Sequence, residues 1–199
     1  MIQHSFGQAF SIFESLLANK HPQLRVLHRQ AKQGLGRAYI AGFEWAIENG
    51  YDFIVQMDAD GSHRPDDLPL VVEAAAENRL VIGSRWVPGG AVLNWPWYRQ
   101  WISRAGNLYA RLTLRSHVKD ITAGFRCYPV SFLTGLELEL VRAQGYGFQI
   151  EMTKLAQDSG VAVEEVPITF VERESGVSKM TYKIIFEAFW LCTKWAFRR

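Results

Sequence analysis

The chain has 199 residues, of which 48% are hydrophobic and 21% are charged, and its mean hydropathy is close to zero. These values are typical of a packed globular protein and exclude intrinsic disorder, collagen-like repeats and low-complexity arrays. Two cysteines, Cys127 and Cys192, are too few for a disulfide scaffold, which favours a reducing compartment. No uncharged stretch is longer than 13 residues, whereas a membrane-spanning helix needs about 20 apolar residues.

Charge is distributed unevenly along the chain, although the net charge is only +2. The stretch 84–126 holds seven basic residues against the single acid Asp120, together with four of the seven tryptophans. The stretch 176–199 holds five basic residues against one acid, and it contains two more tryptophans. Basic residues beside tryptophan favour an anionic partner at an apolar boundary, which a membrane surface provides. A nucleic acid is the competing interpretation, but no nucleic-acid-binding signature supports it, so we expect no such partner.

Hydrophobic periodicity predicts alternating helices and strands along the chain. The first elements expected are a helix at 1–20, a strand at 24–29, a helix at 35–49, a strand at 52–57, a helix at 65–77 and a strand at 80–83. They are followed by a Gly/Pro/Trp loop at 86–96, a helix at 98–115, an extended stretch at 121–130, a helix at 147–159, a strand at 161–171 and a helix at 181–197. This order predicts an α/β fold with a mainly parallel sheet flanked by helices.

Two carboxylates, Asp58 and Asp60, follow the continuous β-prone run at 52–57, which is typical of a buried parallel strand. In an extended chain, positions i and i+2 point to the same side, so both carboxylates are expected to face one spot. Open α/β sheets bind ligands at this edge of the sheet. Paired hard oxygens suit Mg²⁺ or Mn²⁺, which can hold a diphosphate. The alternative is a pair of solvated acids in a turn.

Weaker signals flank this motif. His63 is either a further ligand or, as is more usual for a loop histidine, a solvated side chain. The segment 34–36 resembles a dinucleotide-binding loop, but Tyr39 stands where the third glycine belongs, which favours a simple helix start. Lys32 and Arg37 lie near that helix N-terminus, where a phosphate would be stabilised.

Several cations lie at predicted loop ends and suit an anion site. Arg85 follows the strand at 80–83, and the others are Arg104, Arg126, Arg173 and Lys179. Arginine binds phosphate through two parallel hydrogen bonds, although each of these residues taken singly is also explained as a surface charge. No nucleophile–histidine–acid arrangement is evident. Asp120 is a candidate general base, or it pairs with Arg126.

The terminal segment 181–197 has an apolar stripe with lysines and arginines around it. One interpretation is a helix that lies at a membrane interface. The other is a C-terminal helix that packs on the protein body. The sequence favours neither.

Together these segments resemble the polyprenol-phosphate mannose synthases, also called dolichol-phosphate mannosyltransferases, which are family 2 glycosyltransferases with a GT-A fold. The matching segments are VLHRQAKQGLGRAYIAGF (26–43), QMDADGSHRPDDLP (56–69), VIGSRWVPGG (81–90), ISRAGNLYARL (102–112), DITAGFR (120–126), GYGFQIEM (145–152) and FVERESGVSKM (170–180). The WVPGG and GYGFQIEM stretches are most similar to the actinobacterial branch.

The resemblance implies transfer of mannose from GDP-mannose to a polyprenyl phosphate, with inversion at the anomeric carbon and with Mg²⁺ or Mn²⁺. It implies that the donor is engaged by Asp58, Ala59, Asp60, Arg173 and Lys179, and that Asp58 and Asp60 bind the metal, Asp60 more firmly. It implies that the acceptor phosphate or donor diphosphate is held by Arg85, Ser103, Arg104, Arg126 and Ser178. Arg173, Ser178 and Lys179 would form a mobile loop that closes over the phosphates. A phosphate acceptor is mostly dianionic at pH 7, so it needs no general base.

The resemblance also divides the chain. It implies a partial GT-A domain over 1–180, with the first strands missing, and a C-terminal amphipathic helix over 181–199. Family members begin with strands that end in PTYNE-like and VDDxSxDGT motifs, and residue 1 aligns near the end of the second. Ser62 stands where some relatives carry a glutamine that binds metal. We expect peripheral attachment at the cytoplasmic face of a membrane, with or without a membrane-protein partner.

Two alternatives stay open at this point. The first is a related enzyme that uses another nucleotide sugar, such as UDP-glucose, because the residues expected to read the base are the missing ones. The second is a truncated remnant that binds a membrane or a partner without turnover.

Overall fold

The computed structural model describes residues 21, 23–29, 31, 33–172 and 182–197, with side chains from residue 186 onward in the last range. The helix predicted at 1–20 lies outside the described residues, as do Arg173, Ser178 and Lys179. The strand predicted at 24–29 is wrong, because these residues form no regular structure. Leu27 within this segment is more than one-third exposed, so its apolar residues do not build a buried strand.

The remaining elements follow the predicted order closely. The helices are α1 (Leu35–Glu48), α2 (Leu68–Glu73), α3 (Trp97–Leu114), α4 (Val130–Thr134), α5 (Gly145–Asp158) and α6 (Tyr182–Phe197), with 3-10 turns at Pro65–Asp67 and Leu138–Leu140. The strands are β1 (Phe53–Gln56), β2 (Arg79–Ser84), β3 (Ala91–Leu93), β4 (Arg126–Pro129), β5 (Ala162–Pro167) and β6 (Thr169–Val171). Gly34 precedes α1 with φ 94°, a conformation that glycine adopts without steric cost.

The main sheet has four strands in the order β1-β4-β2-β5. Strands β2 and β5 are parallel, with Leu80 opposite Val163. Strand β4 is antiparallel to both of its neighbours, and its Cys127 lies opposite Val55 on one side and Val81 on the other. Strands β1, β2 and β5 therefore run in one direction and only β4 runs against them. The α/β fold with a sheet flanked by helices is confirmed, and the sheet itself is mixed, because two of its three strand pairings are antiparallel.

The strand predicted at 161–171 is two strands in two different sheets. It breaks after Pro167, whose ring leaves no N–H for a sheet ladder. Ile168 then donates its N–H to the Ser84 carbonyl, and its own carbonyl accepts from the Ala91 N–H. Strand β6 pairs with β3, which lies inside the stretch predicted to be a loop. This redirection carries β6 alongside the loop that follows β1.

The sheet separates two apolar clusters because neighbouring residues of a strand point to opposite faces. Leu80 and Ile82 point into the larger cluster, which the sheet shares with α1, α3, α5 and α6. Val81 points into the smaller cluster, where it meets Val71 of α2 and Phe125. Helix α2 therefore covers one face of the sheet, and helices α1, α3, α5 and α6 cover the other.

Helix α6 packs against α3 and α5. The ring centres of Phe189 and Tyr109 are 4.3 Å apart, and the Tyr109 and Thr193 hydroxyls are hydrogen-bonded at 2.6 Å. Cys192 is buried in the larger cluster. The opposite face of α6 carries exposed aromatic side chains, among them Phe186 and Trp190. The helix thus has an outward apolar face and a face packed on the protein body, as the second interpretation of its stripe expects.

Candidate functional site

Asp58 follows β1 and is held by two side chains from different elements. The Tyr39 hydroxyl, on α1, donates a hydrogen bond of 2.8 Å to Asp58 Oδ1. Burial raises the pKa of Tyr39, and the charge of Asp58 raises it further, so the tyrosine stays protonated and donates. Asp58 is thereby fixed in orientation, with Oδ1 occupied. This role of Tyr39 was not predicted, because in the sequence the residue stands out only as a replacement for the third glycine of a dinucleotide-binding loop.

His63 holds the backbone of the same motif. Its Nδ1 accepts the backbone N–H of Asp58 at 3.1 Å, and its ring packs against Phe125 and Phe170 at centroid distances of 5.3 Å each. Burial lowers the pKa of His63, against the opposing charge of Asp58, which favours the neutral ring that an accepting Nδ1 requires. The interpretation of a solvated loop histidine is wrong, because the side chain is 4% exposed.

Asp60 lies in a bend rather than in an extended strand. Strand β1 ends at Gln56, and residues 59–62 bend, so strand alternation does not align the two carboxylates. Asp60 Oδ1 accepts hydrogen bonds from the Ser62 N–H at 3.1 Å and from the Ser62 hydroxyl at 2.5 Å. The charges of Asp58 and Asp60 both raise the pKa of Tyr39, and both oppose the lowering of the pKa of His63 by burial, so the two carboxylates lie near the same pair of side chains.

The two carboxylates, Asp58 and Asp60, suit a metal ion that is bound together with a diphosphate. Among the described residues, no group of three or more His, Cys, Asp or Glu side chains could hold a metal ion. Mg²⁺ is commonly held by only one or two carboxylates, with substrate phosphates and water completing its shell. Asp58 and Asp60 match that requirement.

Arg85, after β2, is bound to Asp120. Arg85 Nε donates to Asp120 Oδ2 at 2.7 Å, Nη2 donates to Oδ1 at 2.6 Å, and the Arg85 backbone N–H donates to Oδ2 at 2.9 Å. Burial alone would lower the pKa of Arg85, but Asp120 outweighs it and holds that pKa above its ordinary value. Within the described part of the chain, Arg85 Nη1 makes no hydrogen bond, so that nitrogen can meet a ligand.

Asp120 is a structural carboxylate. It is fully buried and also accepts from Asn107 Nδ2, at 3.4 Å, while its backbone N–H donates to Glu165. Its oxygens are thus occupied by fixed donors, which contradicts the interpretation of a general base. Its ionic partner is Arg85, which contradicts the pairing with Arg126.

Arg126 is fully buried, and its three guanidinium nitrogens bond to the protein. Nε donates to the Ala123 carbonyl at 2.7 Å, and Nη2 donates to the Ile121 carbonyl at 2.7 Å. Nη1 donates to the Gln149 carbonyl at 2.9 Å and to the Thr153 hydroxyl at 3.0 Å. The expectation that Arg126 contacts the acceptor phosphate is therefore wrong, because no donor faces a ligand. Arg126 instead ties the turn at 121–124 to α5.

Arg104 is exposed on α3 and lies over the Trp86 ring, with its guanidinium carbon 4.5 Å from the ring centre. Ser103 is half-buried on the same turn of the helix. The Arg85 guanidinium lies within 6 Å of the Trp86, Trp95 and Phe170 rings. The aromatic rings and the two arginines form one surface beside α3. Basic residues and tryptophans of the stretch 84–126 therefore come together at this surface.

A cavity of about 240 Å³ opens between α3, α5 and α6. Polar side chains line part of it, and these are Arg85, Ser103, Thr122 and Tyr146. Apolar side chains line the rest, and they include Ile102, Tyr109, Ala110, Ile150, Phe189 and Cys192. Burial raises the pKa of Cys192 to about 11, so its thiol stays protonated and adds no charge to the apolar part. The cavity combines the Arg85 guanidinium with an apolar wall.

The outer faces of α3 and α6 are rich in exposed apolar side chains. On α3 they are Trp97, Tyr98, Trp101, Ile102, Leu108 and Leu112, and on α6 they are Phe186, Trp190 and Phe197. Lys194 lies over the Trp190 ring, with Nζ 4.9 Å from the ring centre. Within the described ranges, no helix has both the length and the apolar character needed to cross a membrane.

Comparison with known proteins places the chain in a family. Residues 11–135 match the model described as "Glycosyl transferase family 2". The chain is 52% identical over 178 residues to the undecaprenyl-phosphate mannosyltransferase of Micrococcus luteus, covering 89% of this chain and 73% of that protein. It is 48% identical over 177 residues to the polyprenol monophosphomannose synthase of Mycolicibacterium smegmatis, covering 88% and 67%. The expected likeness to actinobacterial proteins is confirmed.

More distant similarities agree. The dolichol-phosphate mannosyltransferase of Pyrococcus furiosus is 38% identical over 174 residues, which are 86% of this chain and 47% of that protein. Glucosyl-3-phosphoglycerate synthase from Mycobacterium tuberculosis, solved with Mn²⁺, UDP-glucose and phosphoglyceric acid, superposes with a TM-score of 0.53 at 19% identity. The match covers 88% of this chain and 59% of that structure, so the chain spans less than two thirds of it. At this identity, the superposition shows the fold alone.

Three findings therefore agree, namely the family match, the identity to named mannosyltransferases and the GT-A-like sheet with a carboxylate pair after β1. The chain belongs to glycosyl transferase family 2.

Proposed function

We propose that the protein transfers mannose from GDP-mannose to a polyprenyl phosphate, with inversion at the anomeric carbon. The names of the relatives from M. luteus and M. smegmatis support the sugar and the class of acceptor. The observation that carries the proposal is the cavity between α3, α5 and α6, because it joins Arg85 to an apolar wall. A polyprenyl phosphate matches both, because its phosphate is anionic and its prenyl chain is apolar.

The cavity adjoins the carboxylate pair. Thr122 lines the cavity, and two residues later Gly124 lies beside Asp58, so one turn borders both regions. A donor held at Asp58 and Asp60 and an acceptor phosphate near Arg85 would therefore meet across this turn. Holding two reactants in contact removes much of the entropic barrier of a bimolecular reaction.

The reaction needs little proton chemistry. An acceptor phosphate oxygen attacks the anomeric carbon, the bond from that carbon to the diphosphate breaks, and its electron pair leaves with GDP. The acceptor is mostly dianionic at pH 7, so no base has to remove a proton. The structural role of Asp120 is consistent with this scheme. Arg85 Nη1, Ser103 and Arg104 are the groups that we assign to the acceptor phosphate.

On the donor side, Asp58, Ala59 and Asp60 form the loop that we assign to the diphosphate. Asp58 and Asp60 would hold Mg²⁺ or Mn²⁺, which when bound neutralises charge on the departing diphosphate. Arg173, Ser178 and Lys179 remain candidates for closing over the phosphates, with Arg173 as a catalytic contact. Strand β6, which immediately precedes them, is bonded to the carboxylate loop through the Val171 N–H and the Ser62 carbonyl at 3.0 Å.

We further propose that the exposed faces of α3 and α6 lie on the cytoplasmic surface of a membrane. Aromatic rings and nearby cations suit the headgroup region of a bilayer that contains anionic lipids. A prenyl tail could then pass from the bilayer into the cavity that these helices border. Attachment through a membrane-protein partner is the other arrangement that this surface allows.

Replacing Trp101 and Trp190 by alanine is expected to weaken binding to vesicles that contain anionic lipid by at least tenfold. Each indole is more than 60% exposed, and each would lose its burial in the headgroup region. Co-sedimentation with vesicles measures the effect. Leu70→Ala is the matched control, because Leu70 is exposed on α2, which covers the other face of the sheet. Equal binding by the double variant would contradict membrane attachment through α3 and α6.

The function is tested by measuring transfer of labelled mannose from GDP-mannose to a polyprenyl phosphate in detergent, with Mn²⁺ present. Gly106→Leu is the informative variant. Gly106 lines the cavity, and a Cβ on it meets nothing within 4 Å, so a leucine would fill the cavity without a backbone clash. Leucine also favours the helix over glycine by about 1 kcal/mol. We expect transfer to fall at least tenfold while the KM for GDP-mannose stays the same.

Gly106→Ala is the control, since it gives a similar gain in helix propensity and leaves most of the cavity open. Full activity of Gly106→Leu would remove the cavity from the proposal. Transfer from UDP-glucose in place of GDP-mannose would correct the donor but keep the reaction class. A folded sample that transfers neither sugar would show that the chain by itself is not the proposed enzyme.

A further inference from the structure

A small polar cradle lies beside the carboxylate pair, with Gly124 as its floor. The position that a Cβ would occupy on Gly124 is 3.6 Å from Asp58 Oδ2, 3.8 Å from His63 Cε1 and 3.9 Å from Gln149 Nε2. Gln56 holds the floor in place through a hydrogen bond of 2.8 Å from its Nε2 to the Gly124 carbonyl. Three side chains from different parts of the chain therefore surround one point that carries no side chain of its own.

Gln149 is the unexplained member of this group. It is 3% exposed on α5, yet its Oε1 is buried without a hydrogen-bond partner among the described residues, and its Nε2 makes no hydrogen bond to any of them. Buried polar groups nearly always have partners, so an amide kept inside the protein without one is a sign of function. Folding alone gives no reason for a glutamine here.

The backbone of Gln149 is nevertheless firmly held. Its carbonyl accepts from Arg126 Nη1 at 2.9 Å and from the Thr153 hydroxyl at 2.9 Å. Arg126 also bonds to the carbonyls of Ile121 and Ala123, in the turn that leads to Gly124. The buried arginine thus fixes Gln149 and the floor of the cradle relative to each other. The backbone that carries Gln149 is therefore held in place, while its side-chain amide is left without a partner among the described residues and can meet a ligand.

We propose that Gln149 and Asp58 bind one hydroxyl of the transferred sugar in this cradle, and that Gln149 is a specificity-determining residue of the donor site. The inference rests on the proposed function. Asp58 Oδ2 is an acceptor and Gln149 Nε2 is a donor, and both lie within 4 Å of the Cβ position on Gly124. A hydroxyl can donate to the first and accept from the second at once. A phosphate oxygen only accepts, so it could not donate a hydrogen bond to Asp58 Oδ2 as a hydroxyl can.

Gln149→Met tests the proposal, because methionine has a similar length and shape but no amide. The affinities for GDP and for GDP-mannose, each with Mn²⁺, are measured by calorimetry on the full chain. We expect GDP-mannose to bind five- to tenfold more weakly and GDP to bind unchanged, since one neutral hydrogen bond is lost and only the sugar makes it. Gln157→Met is the matched control, with the same change at a more exposed position of α5.

Gly124→Ala is the second variant. Its methyl group would occupy the cradle at ordinary contact distances, so it blocks the hydroxyl without straining the fold. It should weaken GDP-mannose and spare GDP in the same way. Donors that lack single hydroxyls identify the group, because one of them should bind equally to the wild type and to Gln149→Met.

The remaining outcomes separate the two proposals. If Gln149→Met weakens GDP and GDP-mannose equally, the residue contacts the diphosphate or metal and the inference is overturned. Unchanged affinity for both also overturns it. If the wild type prefers UDP-glucose, the same comparison with UDP decides the role of Gln149, and only the donor assignment falls. A wild type that binds none of these nucleotides would end both proposals.

Discussion

Asp60→Asn is expected to lower mannose transfer by about 100-fold or more, as loss of one charge-stabilising group does in enzymes. Asparagine keeps the oxygen that accepts from the Ser62 N–H and hydroxyl, so the bend at 59–62 retains its hydrogen bonds. It removes the negative charge that we assign to the metal ion. Initial rates across a Mn²⁺ titration measure the effect, and the variant should also need more Mn²⁺ for half-maximal rate.

Asp66→Asn is the matched control for this experiment. Asp66 follows in the next turn, its side chain is 79% exposed, and it pairs with Arg64 on the surface. Exposed ion pairs of this kind contribute little to stability, so the control should retain its rate and its Mn²⁺ dependence. An Asp60→Asn enzyme with the wild-type rate would contradict the assignment of Asp60 to the metal.

Asp120→Asn is expected to lower the free energy of unfolding by about 3–5 kcal/mol, which is typical for a buried ion pair that loses one partner. Arg85 would remain buried without the carboxylate that now accepts three of its N–H groups. For a protein of this size, each 1 kcal/mol shifts Tm by roughly 2–4 °C, so a fall of about 10 °C is expected. Urea unfolding and thermal melting measure the change.

Two further variants check the cause. Asp158→Asn removes a surface carboxylate paired with Lys154 on α5, and the free energy of unfolding should change by no more than about 0.5 kcal/mol. The double variant Asp120→Asn with Arg85→Met should recover part of the loss, because no unpaired guanidinium is left. A double variant that is less stable than both single variants would show that the buried pair is not the source of the effect.

The order of elements was predictable because it depends on local patterns. The run 52–57 is continuously β-prone, and β1 lies inside it at Phe53–Gln56. The helix predicted at 98–115 is α3 at Trp97–Leu114, since its apolar residues recur with the helical period. The strand predicted at 24–29 is absent, because alternation of apolar and basic residues does not supply a neighbouring strand to pair with. The break after Pro167 was not predicted, because periodicity does not show which sheet a strand joins.

Arginine chemistry was predictable in kind but not in place. Arg85 and Arg126 both lie at predicted loop ends, so the sequence predicts phosphate binding equally for both. In the structure, Arg126 bonds to three carbonyls inside the protein, whereas Arg85 pairs with Asp120 and lines the cavity. The difference depends on which backbone carbonyls converge on each guanidinium, and residues far apart in the chain supply them.

The family, the α/β class and the carboxylate motif at Asp58 and Asp60 were predictable from the amino-acid sequence, because each depends on contiguous residues. The contacts of Tyr39 and His63 with Asp58, and the position of Gln149 beside Gly124, became evident in the three-dimensional structure. It alone showed that α3, α5 and α6 enclose a cavity beside this site. The physical reason is that hydrogen-bond partners and cavity walls are set by the packing of distant elements, which leaves no local pattern in the chain.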